Sequence, residues 1–76
     1  MTECVLIFDA DVTPEEINAI FSDNLPGNAV PIYQNSYQLG VDASYSAIKH
    51  AICSAFPQTP FALAKTKEGK MFFNNP

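Results

Sequence analysis

From Glu3 to Phe8 the chain reads ECVLIF, apolar at every position after the first. An uninterrupted run of this length predicts a central strand covered on both faces. The segment DADV at 9–12 predicts a short loop into a helix with clear start signals. Thr13 stands at the N-cap, Pro14 at N1 and Glu16 at N3, which makes a capping box, and Val12 and Ile17 are spaced for a hydrophobic staple. Glu15 and Glu16 fall in the first turn, where the helix dipole favours negative charge. Ile17, Ile20, Phe21 and Leu25 predict one apolar stripe, ended by Pro26-Gly27.

Two β-like segments follow, AVPIYQ at 29–34 and SYQLGV at 36–41, with Asn35-Ser36 as a tight turn. Tyr37, Leu39 and Val41 alternate with Gln38 and Gly40, so this strand has one wet face. Pro31 cannot donate to a ladder and places its strand at a sheet edge. One long bent strand over 29–41 is the alternative. Residues 43–56 predict a second helix, capped by Asp42 or Ser44, with Tyr45, Ile48, Ile52 and Phe56 as its stripe, Lys49 and His50 pointing away, and Pro57 as its stop. PFALAK at 60–65 and KMFF at 70–73 predict a closing hairpin turned by Lys67-Glu68-Gly69, and Asn74-Asn75-Pro76 a frayed tail.

Strand, helix, strand, strand, helix, strand is the ferredoxin-like βαββαβ order, an α+β fold with two helices on one face of an antiparallel sheet and a short C-terminal hairpin. The first and third strands are then central, the second and fourth at the edges. One sheet face lacks helices. Either Cys4, Leu6 and Phe8 or Val5 and Ile7 must point to it, and Phe72 or Phe73 joins it. An apolar open face implies a cover, and a homodimer through the sheets is the simplest.

The length, 76 residues, allows one domain, with 47% hydrophobic and 16% charged residues. That is too apolar for a disordered chain. The first apolar run is too short for a signal peptide or a membrane span, so the expected location is the cytoplasm of the producing or host cell. Net charge is −4, with four Lys and no Arg, which argues against nucleic-acid binding. Charge is also segregated. Glu3, Asp9, Asp11, Glu15, Glu16, Asp23 and Asp42 precede residue 43 without one Lys, while Lys49, Lys65, Lys67 and Lys70 follow with Glu68 alone.

Candidate chemistry is sparse. Cys4 and Cys53 form no CxxC and His50 has no second His, so the cysteines are expected reduced and a zinc site is not expected. His50 and Cys53 are an i, i+3 pair without an orienting third group. SYQLGV does not match the aromatic motif of RNA-recognition domains. Gly27, Gly40 and Gly69 form no phosphate loop, and no cofactor is expected.

Three segments, Ile7-Phe8-Asp9, Asn35-Ser36-Tyr37-Gln38-Leu39 and Asp42-Ala43-Ser44, give a pattern that resembles the small nuclease-like subunit of the CRISPR adaptation complex and its uncharacterised relatives. The resemblance covers most of the chain. It implies a homodimer in which Asp9 meets its mate and holds a divalent metal, with Asp11 as a supplementary oxygen ligand. That gives one reading, a metal-dependent nuclease-like homodimer using Asp9. The acidic balance and missing Arg give another, in which no residue is catalytic. There the chain is a small acidic protein-binding domain, of the inhibitor or phage anti-defence kind, presenting Asp9, Asp11, Glu15, Glu16 and Asp23 to a basic protein surface. A small-molecule regulatory domain is the third.

Overall fold

A computed structural model describes residues 1–76. The elements are β1 (Thr2–Phe8), α1 (Pro14–Asn18), β2 (Gly27–Tyr33), β3 (Ser36–Val41), α2 (Tyr45–Ala55), β4 (Phe61–Lys65) and β5 (Lys70–Asn74). The fold is α+β. All strand pairings are antiparallel and the sheet runs β2-β3-β1-β4-β5. β1 and β3 are interior and β2 is an edge, as the run ECVLIF and Pro31 imply. β4 is not an edge: β5 pairs along it and takes the outer position.

Strand alternation divides the sheet. Leu6 lies between Tyr37 and Leu63, and Cys4 pairs with Leu39. These side chains join Phe8, Val41, Ala29 and Phe61 with Val12, Ile17, Ile48 and Ile52 in one buried core. Both helices therefore serve the same sheet face. Phe8 packs edge-on against Phe56 with ring centroids 5.0 Å apart, and Phe61 bridges Phe8 and Phe72 at 5.8 and 6.0 Å. This aromatic chain fixes the end of α2 across β1, β4 and β5.

The first helix is shorter than its apolar stripe suggests. The capping box forms, with the Glu16 amide donating to Thr13 Oγ1 at 3.2 Å, but the helix ends at Asn18 rather than at Pro26-Gly27. Asn18 Nδ2 donates to the Pro14 carbonyl and Asn18 Oδ1 accepts from the Ala29 amide, tying the helix end to β2. The Ile20 and Phe21 amides then bond three residues back, and Ser22 and Leu25 exchange backbone hydrogen bonds across a turn. Ser, Asp and Asn at 22–24 compete for the backbone and favour that turn over more helix. Ile20, Phe21 and Leu25 still pack on the core from non-helical backbone.

Other boundaries shift less. The β2–β3 turn is Gln34-Asn35, with Asn35 at φ 58°, so Ser36 belongs to β3 and the single bent strand does not form. Ser44, not Asp42, caps α2, accepting from the Ala47 amide at 3.1 Å. Gly69 turns the last hairpin at φ 69°. Asn74 is not frayed: its Nδ2 donates to the Thr59 carbonyl at 2.9 Å and, more weakly, to that of Phe56. No helix is long and apolar enough to cross a membrane.

Candidate functional site

The sheet face away from the helices is left uncovered by folding. The cross-strand registers stack its side chains in rows. One row runs Ser36, Ile7, Ala62, Phe73, and the next Val30, Gln38, Val5, Ala64, Met71. Four of these remain about half exposed: Ile7 46%, Val30 53%, Met71 54% and Phe73 58%. The adjacent Leu6 is 0% exposed, so consecutive residues of β1 serve opposite functions. Ala62 and Ala64 keep the centre shallow while Ile7 and Phe73 stand beside them. An open depression of about 290 Å³ results, lined by Ile7, Asp9, Pro60, Ala62, Phe73 and Asn75.

The predicted acidic residues separate into two places. Asp9 and Asp11 follow β1, and Glu15 and Glu16 begin α1, all at the end of the sheet where β1 finishes. All four are exposed. Asp9 reaches the open face at the rim of the depression. Asp11 Oδ1 accepts a long 3.5 Å contact from Asn35 Nδ2, and Glu16 is engaged in the capping box. Asp23 lies in the turn leading to Pro26, whose carbonyl accepts from Asp42 beside the start of β1, so it sits at the opposite end of the sheet.

The lysines of the β4–β5 hairpin occupy that opposite end. Lys65 pairs with Glu68, and Lys67 Nζ lies 3.7 Å from Glu3. The Lys65 partner holds the Glu68 carboxyl below its ordinary value. Lys49 lies over the Phe72 ring at 5.1 Å, on the helix side, rather than pointing freely away. Tyr37 Oη donates to the Val12 carbonyl at 2.7 Å. Burial pushes this phenol up, and the charges of Glu15 and Glu16 push it further. Burial likewise raises Tyr45, whose hydroxyl donates to the Leu63 carbonyl at 2.6 Å, and the Cys4 thiol.

No three His, Cys, Asp or Glu side chains converge as a metal set. Asp9 and Asp11 share the loop without further acidic ligands from this chain. His50 is exposed and Cys53 half buried, and both cysteines are free thiols. The apolar residues of the open face were absent from the acidic set that charge pointed to. Their signal was the alternation of Val5 and Ile7 with Leu6, and of Ala62 and Ala64 with Leu63. No protein-family model matches the sequence, and neither the curated proteins nor the solved structures contain a match.

Proposed function

We propose that this chain is a non-enzymatic protein-binding domain that takes its partner on the helix-free sheet face and the acidic end beside it. The observation that carries the reading is an apolar depression on the helix-free face with Asp9 in its lining, at the end of the sheet where the exposed Asp11, Glu15 and Glu16 also lie. A fitting partner offers an apolar anchor for the cleft between Ile7 and Phe73 and basic groups next to it. The apolar contact supplies most of the affinity, and the carboxylates orient the encounter. An inhibitor that occupies a basic protein surface fits this description. The strand order, with β5 added outside β4, supports a ferredoxin-like domain extended by one strand.

A second copy laid over the same face is the competing occupant, favoured by the same apolar rows. Five strands about 4.8 Å apart and about 17 to 23 Å long give a flat footprint of roughly 500 Å² per copy. Stable interfaces bury ~800 Å² of accessible surface per partner. A different protein that also grips the acidic end extends the contact beyond the sheet, whereas a second sheet face does not.

Affinity capture from the producing cells, compared for wild type, Ile7→Ser and Asp9→Lys, tests the reading. One protein retained by wild type and lost by both variants is expected. Capture unchanged by Ile7→Ser overturns it.

A further inference from the structure

The two edges of the sheet are built differently. On β2, Pro31 lacks an N–H and the register shifts between Pro31 and Tyr33. Both features blunt an edge against further pairing. The outer edge of β5 has neither. Its five residues, Lys70-Met71-Phe72-Phe73-Asn74, pair with β4 in unbroken register, and no strand lies beyond them. Met71 and Phe73 are among the most exposed large apolar side chains of the molecule. Lys70 at its start is the one charge on this edge, and the apolar stretch Met71-Phe72-Phe73 that follows leaves backbone groups free to template another strand.

We propose that the occupant is β5 of a second copy, paired antiparallel about a two-fold axis through Phe72. The sequence of the strand is self-complementary in that register. Lys70 falls opposite Asn74 of the other copy, Met71 opposite Phe73, and Phe72 opposite Phe72. No like charges meet, and every apolar residue meets an apolar one, the arrangement that stabilises cross-strand pairs. Met71 and Phe73 come from the open face on both strands, while Phe72 stays on the helix side. The pairing is isologous and closes with two copies, because each β5 has one free edge. Two five-stranded sheets become one ten-stranded sheet, and the open faces of the copies become continuous. Pairing at the edge leaves Ile7 accessible; Phe73 is common to edge and depression, so Ile7→Ser, which alters the face and not the edge, tells the two apart.

Sedimentation of the full chain across a concentration series tests this, with two charge variants. Met71→Lys with Phe73→Lys places lysines opposite lysines, and Met71→Glu with Phe73→Glu places glutamates opposite glutamates. Both positions are exposed, so folding is retained, which circular dichroism checks. A five-residue edge is a smaller contact than a stable interface makes, so wild type is expected to dimerise weakly, only as concentration rises toward millimolar. Each variant alone is expected to dimerise at least about tenfold more weakly, since like charges opposite each other destabilise a strand pair. An equimolar mixture of the two is expected to form a heterodimer. A wild type that stays monomeric at millimolar concentration overturns the proposal. So do variants that dimerise as wild type does, or a mixture that stays dissociated.

Discussion

Tyr37 in the middle of the sheet and Val12 in the loop before α1 are joined by a 2.7 Å hydrogen bond from phenol to carbonyl. The contact spans 25 residues of sequence and is buried. It fixes the loop that carries Asp9 and Asp11 against β3, so the acidic end is held by the core rather than by α1 alone. Tyr37→Phe keeps the ring but leaves the Val12 carbonyl without this donor. A loss of about 1–3 kcal/mol is expected from urea unfolding, the range for an unsatisfied buried polar group.

The same bond makes stability sensitive to alkali. Tyr37 and Tyr45 are both raised above their ordinary 10.0 in the folded state, chiefly by burial. The folded chain then holds their protons at a pH where the unfolded chain releases them. Their contribution is complete below pH 10.0 and is lost as pH rises from there through the raised folded values. Unfolding midpoints should fall across this window, and the fall should be smaller in the Tyr37→Phe, Tyr45→Phe double variant.

Adjacent residues of β1 should respond in opposite ways to truncation. Leu6→Ala opens a cavity in the core and is expected to cost about 2–5 kcal/mol. Ile7→Ser removes a half-exposed side chain from the open face and should change stability by less than about 1 kcal/mol. Equal losses at the two positions in denaturant unfolding would contradict the division of the sheet.

The five residues of α1 depend on their start. Thr13→Ala removes one side of the capping box and is expected to cost about 1 kcal/mol. Gly27→Ala is expected to cost more than a helix cap, because a Cβ there would meet the Gly40 carbonyl oxygen at 2.8 Å and the Val41 Cα at 3.1 Å. Thermal unfolding of the two variants checks the order.

Much of this architecture was legible from local pattern. The capping residues Thr13 and Glu16, the edge proline Pro31, the turn glycine Gly69 and the cap Ser44 each act through chemistry confined to a few neighbours. What the pattern did not reveal rests on contacts between distant segments. Ile17, Ile20, Phe21 and Leu25 keep helical spacing, yet Asn18 bonds across to Ala29 and the chain leaves the helix there. Asn74 looked like a tail until Thr59 and Phe56 came beside it. Charge singled out Asp23 together with Asp9, but the topology sends them to opposite ends of the sheet. The open face was visible only as an either-or between Val5 with Ile7 and Cys4 with Leu6. The helices resolve that choice, since Ile17, Ile48 and Ile52 all pack on the Cys4 and Leu6 side.

A photoreactive benzoylphenylalanine at Ile7, with a second chain carrying it at exposed His50 on the helix layer, tests the binding face most directly. Illumination in the producing cells is expected to give one discrete adduct with a different protein from position 7, and none from position 50. An adduct from position 50 alone, or a covalent pair of identical chains from position 7, would contradict the account.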